Sequence, residues 1–238
     1  MPRRTIFLVA LALACAGFAA LGTWQIQRRA WKLDLIERVE QRVHAPAVAA
    51  PASAQWAQIN AADDEYRHVV LRGRFLHERE TLVQAVTALG GGYWVMTPLQ
   101  LAEGGVVLVN RGFVPPEARE RGTRSANEPQ GEQRVRGLLR LSEPGGGFLR
   151  SNQPAAGRWY SRDVAAIAQA HGLAPVAPFF VDADVEAPPP GGRWPAAGLT
   201  VTSFRNTHLV YALTWYALAL MAAGAGGWVW REGRLRKI

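Results

Sequence analysis

The chain has 238 residues, a formal net charge of +8 and a single cysteine, Cys15. That length leaves room for one ordinary domain between apolar end segments, large enough to bury a core unaided. One cysteine excludes an internal disulfide and any thiolate metal centre in the middle of the chain, including the paired-cysteine sites used to deliver copper.

The positive charge would suit a nucleic-acid binder, but its location argues against one. The excess sits in Arg3 and Arg4, in Arg28, Arg29 and Lys32, and in the tail holding Arg231, Glu232, Arg234, Arg236 and Lys237. The residues between those clusters carry no net charge. The clusters flank apolar runs, where basic residues mark membrane edges.

The first run, residues 5–27, contains no charged residue. A spanning helix needs about 20 apolar residues, so a transmembrane helix is expected over 5–25. A cleaved signal peptide is the rival reading, with Gly17, Phe18 and Ala19 as a possible cleavage site. Ala12, Ala16 and Ala20 recur at a spacing that lets a second helix approach closely, or simply faces lipid. Leu33, Ile36, Val39 and Val43 keep helical spacing, so helix is expected to continue over 33–44. Residues 45–54 form an Ala/Pro linker.

Strand signals then dominate. They fall at 67–76, 81–86, 93–99, 106–110, 133–141, 179–185 and 199–204. The glycines at 90–92 are expected to turn the chain. Gly104 and Gly105 mark a hairpin, and 145–147 is a loop. A short helix is expected at 164–171, ended by Gly172. Residues 188–195 are a Pro/Gly linker. The expected fold class is an α+β membrane protein, with two transmembrane helices bracketing a β-rich domain (antiparallel barrel or sandwich) over 26–205.

The second apolar run, 209–230, is followed by a basic tail at 231–238. The positive-inside rule places that tail in the cytoplasm, and two spans return the N-terminus there. Ala219, Ala223 and Gly227 repeat the small-residue spacing.

Among known catalytic patterns, the sequence holds no nucleophile elbow, P-loop or zinc-protease helix. No two of its five histidines sit at metal-ligand spacing, and no catalytic role is assigned. His208 is set apart by its place at the outer mouth of the second run. Helical steps put Tyr211 and Trp215 on its face. A neutral imidazole there could ligate a haem iron, with aromatic rings flanking the macrocycle and Arg205, Arg28 and Arg29 pairing with its carboxylates. Equally, His208 could be an interfacial histidine bonded to water or headgroups. Trp24 and Gln25 lie at the same level, closing that pocket or anchoring the interface.

Four segments together resemble the surfeit locus protein 1 (Surf/Shy) family of cytochrome c oxidase assembly factors. They are residues 21–25 (LGTWQ) with Arg28, Trp31 and Lys32; residues 92–99 (GYWVMTPL); residues 109–115 (VNRGFVP); and residues 206–216 (NTHLVYALTWY). The resemblance implies a haem-copper oxidase assembly factor that binds haem a or assists its insertion into oxidase subunit I. A membrane-anchored scaffold that stabilises an assembly intermediate without cofactor is the alternative. The resemblance also implies His208 as the haem ligand, and oxidase subunit I, haem a synthase and membrane lipids as partners. It implies a bacterial inner membrane location, with the central domain periplasmic. In the third segment, Asn110 and Arg111 could dock a partner, or Asn110 could cap a strand end that Gly112 bends and Pro115 stops.

Overall fold

The structure, a computed structural model, describes residues 3–147, 149–185, 194–202, 204 and 206–235. The chain divides into two compact units, Met1–Arg38 with Ser203–Ile238, and Val39–Thr202.

The first unit is built from helix α1 (Arg3–His44) and helix α4 (His208–Leu235). Both are long and apolar enough to cross a membrane. Within this unit they run antiparallel. The Arg4 guanidinium donates to the Val229 and Trp230 carbonyls at 3.0 and 2.8 Å. Leu11 lies beside Gly226. Phe18 stacks on Trp215 with ring centroids 5.7 Å apart. Gly22 lies under the Tyr216 ring, and the Thr23 and Tyr216 hydroxyls are 3.1 Å apart.

The seam therefore runs through Arg4, Leu11, Phe18, Gly22 and Gln25 on α1, at the steps of three, four and seven that bring two helices together. On α4 the small residues Ala212, Ala219 and Ala222 are buried. The expected alanine stripe behaves differently. Ala12, Ala16, Ala20, Ala223 and Gly227 are all exposed, and only Ala219 of that set is buried. The stacked Phe18 and Trp215 rings offer far more contact than a row of methyls and set which faces meet.

The second unit is a barrel, with the one-turn helix α2 (Ala61–Asp64) ahead of its main strands. Its strands are β1 (Val48–Ala49), β2 (His68–Phe75), β3 (Thr81–Thr87), β4 (Gly90–Leu101), β5 (Val106–Val114), β6 (Glu132–Leu141) and β7 (Val176–Ala183). Their order is β1-β2-β6-β7-β5-β4-β3, and a further β2–β4 pairing closes five of them into a ring. The expected choice between barrel and sandwich thus resolves as a closed five-strand barrel. It is not wholly antiparallel, because β5 runs parallel to β7 and β1 to β2.

Burial explains the parallel pair. Val107 and Val109 of β5 and Ala177, Phe179 and Val181 of β7 face the barrel interior. Val106, Leu108 and Phe180 face outward, against Ile167 and Ala168 of helix α3 (Val164–Ala170). Strands buried on both faces are where parallel pairing belongs, and they read as continuous apolar runs.

Two expectations fail. The glycines at 90–92 do not turn the chain; the turn is at Ala88 and Leu89, and Gly90, Gly91 and Gly92 pair with Thr87, Val86 and Ala85. A Cβ on Gly92 would sit 2.3 Å from the Val114 carbonyl and 2.6 Å from the Phe113 ring, so glycine here serves close approach between strands. No strand forms at 199–202. There Thr200 turns its hydroxyl to the Asp182 carboxylate at 2.9 Å, a side-chain anchor in place of a ladder. The 188–193 part of the expected Pro/Gly linker lies outside the described residues.

Asp182 on β7 is 3% exposed and collects several donors. Asn110 reaches it at 2.7 Å, Arg162 at 3.1 Å and Arg140 at 3.2 Å. Glu65 and Glu143 balance the two arginines. Buried charge survives only when paired and hydrogen-bonded, and every charged group of this cluster has an opposite charge within reach.

Candidate functional site

Helix α4 starts where its capping residues dictate. Thr207 O accepts from Val210 N–H at 3.1 Å, and the Asn206 side chain accepts from His208 N–H at 3.4 Å. Polar side chains at these positions satisfy donors the first turn leaves free. The cap fixes His208 as the first residue of the helix, beside α1.

The His208 Nδ1 lies 2.7 Å from the Gln25 Oε1. An amide oxygen only accepts, so Nδ1 carries the proton and Nε2 keeps its lone pair. Among the described residues Nε2 has no hydrogen-bond partner. A bond of this kind fixes both tautomer and ring direction, as partners of metal-bound histidines do. Beside it, Asn206 Nδ2 is a buried donor with no partner among the described residues. Two turns further along α4, Trp215 is held by its stack on Phe18.

Of the eight residues that sequence gathers around this mouth, Arg29 is half-buried and the others are distributed unevenly. His208, Gln25 and Trp215 lie at the helix seam. Trp24 and Tyr211 stand out from it at 50% and 55% exposure. Arg28 is exposed, with its guanidinium 4.6 Å from the Trp31 ring centroid. Arg205 lies outside the described residues. Sequence reasoning missed Asn206 and the Thr23–Tyr216 pair. The Asn-Thr dipeptide ahead of an apolar run is a readable cap signal, but only the structure shows that the Asn206 amide is buried.

Asn110 and Arg111 belong to the barrel unit, on opposite faces of β5, and neither is exposed. Asn110 is 4% exposed. It donates to Asp182 and accepts from Gly112 N–H at 3.1 Å. Gly112 has φ +127°, and a Cβ there would meet the Ala196 backbone at 2.4 Å. The Arg111 guanidinium packs over Phe75 and donates to the Asn127 carbonyl and, at 3.3 Å, to His77 Nδ1. Burial lowers its pKa to about 10. His77 donates its Nε2–H to the Pro129 carbonyl at 3.0 Å. Burial pushes its pKa below the usual histidine value, and Arg111 lowers it further. Among the described residues, no three of His, Cys, Asp and Glu gather as a metal cluster would require.

One stretch of recognisable sequence takes in the whole barrel unit and most of the helix unit: the SURF1 family profile matches residues 12–220. The chain belongs to the SURF1 family. Surfeit locus protein 1 of Mus musculus is 37% identical over 243 residues, covering 95% of this chain and 75% of the mouse protein. The Homo sapiens protein of the same name is 37% identical, covering 91% and 73%. That of Takifugu rubripes is 32% identical, covering 96% of this chain and 97% of its own length. The SURF1 match takes in Gln25 and His208 alike.

Proposed function

We propose that this SURF1 protein is an assembly factor for haem-copper cytochrome c oxidase, binding haem a on His208 and assisting its insertion into oxidase subunit I. The observation that carries the reading is the 2.7 Å bond from His208 Nδ1 to Gln25, which leaves Nε2 as an oriented, unshared lone pair. His208 would hold haem a through its imidazole nitrogen, and the group would supply an iron able to accept that lone pair. Gln25 holds the ring, and the tautomer it imposes is the one that can ligate through Nε2. The orphaned Asn206 amide fits a polar substituent at the macrocycle edge. Trp215 and Phe18 offer an apolar wall, and Arg28 and Arg205 are the cations nearest in sequence for its carboxylates.

The two apolar helices serve as anchors in a bacterial inner membrane, with the barrel on the periplasmic side. Arg4 beside Trp230 puts both chain ends at one end of the helix pair, which agrees with two cytoplasmic termini. Haem a synthase, as donor, and subunit I, as acceptor, are the proposed partners. The role is transfer rather than catalysis, and copper has no part in it.

The test is the visible spectrum and pyridine haemochrome of detergent-purified protein from cells making haem a. Wild type should carry haem a, His208→Ala should lose the Soret band, and Gln25→Leu should retain a weakened, shifted one. Equal haem in wild type and His208→Ala would sink the ligand assignment. Haem-free protein that still rescues oxidase assembly would mark a scaffold.

A further inference from the structure

A cleft of about 660 Å³ lies against the free end of the β3–β4 hairpin, between Gln84, Val86, Tyr93, Pro116, Arg150 and Tyr160. A second of about 290 Å³ continues it, past Tyr93 and Tyr160, to Arg119 and Arg158. Three arginines line the two, and no acidic residue does among those described. Arg119 lies 5.2 Å over the Tyr93 ring. Arg150 lies 5.5 Å over Tyr160 and donates to Gln84 at 3.1 Å. Among the described residues none of the three has a carboxylate partner. The chain between its basic membrane flanks is neutral overall, so these cations are a local excess and not part of a diffuse basicity.

The cleft borders an open strand edge. β3 is last in the sheet order and pairs with β4 along its length. Trp159 covers part of its other side, where Gln84 N–H donates to the Trp159 carbonyl at 2.8 Å. In an antiparallel strand, alternate residues point their backbone groups the same way. Val86 therefore presents its N–H and C=O on the side of Gln84, beyond the reach of Trp159. Its side chain is 90% exposed, and that of Leu149, next to Arg150, is 89% exposed. An open edge with protruding aliphatics invites a further strand.

We propose that this edge and cleft bind an acidic, extended segment of a partner protein, added as a strand beside Val86 with its carboxylates on Arg119, Arg150 and Arg158. The edge supplies sequence-independent affinity and the arginines supply selection. The exposed backbone pair of Val86 is what favours a peptide over a lipid surface. A headgroup can neutralise the arginines, but only another chain matches an N–H and a C=O in register. The site shares no residue with the His208 mouth and stands whether or not haem binds there.

Short random peptides displayed on phage, selected on the full-length protein in neutral detergent, test the proposal. Enriched clones should alternate β-branched residues with carboxylates. Their affinity should fall about tenfold or more in the triple variant R119E/R150E/R158E, and fall with rising salt. Val86→Pro should weaken them similarly, because the N–H it removes points away from β4 and the hairpin ladder stays intact. All three arginines are exposed, and an unchanged circular dichroism melt of each variant separates lost binding from lost fold. Clones without acidic bias, or acidic clones that bind the triple variant as well as wild type, overturn the proposal. So does indifference to Val86→Pro, or capture of anionic phospholipid vesicles by the three arginines with no peptide enriched.

Discussion

The two units solve opposite problems with their polar groups. In the barrel, charge is buried and fully answered: Asp182 is surrounded by Asn110, Arg140, Arg162 and Thr200. In the helix pair, the outer surface is apolar and exposed, and the polar contacts sit at the two ends of the seam, where Arg4 meets Val229 and Trp230 at one end and Gln25 meets His208 and Thr23 meets Tyr216 at the other. The barrel's polar network is spent on holding itself together. Among the described residues the helix pair leaves the His208 Nε2, the Asn206 amide and the Arg4 Nε unspent, against the Thr97 hydroxyl in the barrel, and unspent polar groups are what a ligand can use.

That contrast is most directly broken at Asp182. Asp182→Ala removes the buried carboxylate that Asn110, Arg140, Arg162 and Thr200 share, while Glu65 and Glu143 still pair the two arginines, so it should destabilise the barrel by about 2–4 kcal/mol. Urea titration of the full chain in detergent would show it, and His208→Ala should leave the same midpoint in place. Similar sensitivity of both variants would mean the units do not divide their roles in this way.

Gly112→Ala should come next. It forces a side chain onto a φ of +127° and against the Ala196 backbone, for a loss of about 1–3 kcal/mol in the same titration.

Acid should act on the barrel through His77 and His171. Burial holds both below the ordinary histidine pKa, assisted by Arg111 at the first and Arg79 at the second. Below about pH 6.5 the unfolded chain takes up protons that these folded residues refuse. Stability should therefore be full above that pH and decline as pH falls below it. His77→Gln should flatten part of the slope, and a urea midpoint that rises on acidification would contradict the assignment.

The smallest effect is expected in the helix pair. Removing the Thr23–Tyr216 bond with Tyr216→Phe should cost about 0.5–1.5 kcal/mol. A double-mutant cycle with Thr23→Val, followed by denaturing-detergent titration, would isolate it. A coupling as large as the Asp182 effect would erase the distinction between the units.

Much of the barrel was readable from sequence because its strands obey local rules. β2, β3 and β6 alternate, and Gly104 and Gly105 do turn the chain between β4 and β5. What escaped was set by distant partners. Gly90, Gly91 and Gly92 look like a turn, and only the approach of Phe113 and Val114 makes them strand. Barrel closure rests on three residue pairs between β2 and β4, which no local pattern announces. At the mouth of the helices, position along the chain placed Gln25 and His208 at one level. Whether a side chain faces the seam or stands clear, as Trp24 and Tyr211 do, depends on the Phe18–Trp215 stack that sets the rotation. Asn110 and Arg111 stay open between docking and strand-end roles in the sequence because nothing nearby in it reveals Asp182, Asn127 or Phe75 as their neighbours.

The open edge of β3 also bears on the protein's own solubility. An unpaired strand is a template for copies of itself, and repeated edge-to-edge pairing is how many β proteins polymerise. Two copies meeting at Val86 would press Arg119, Arg150 and Arg158 against the same three cations of the other. The arginines that draw in an acidic strand thus act as gatekeepers against self-association. Neutralising them should make this protein more prone to aggregate even where its fold is untouched.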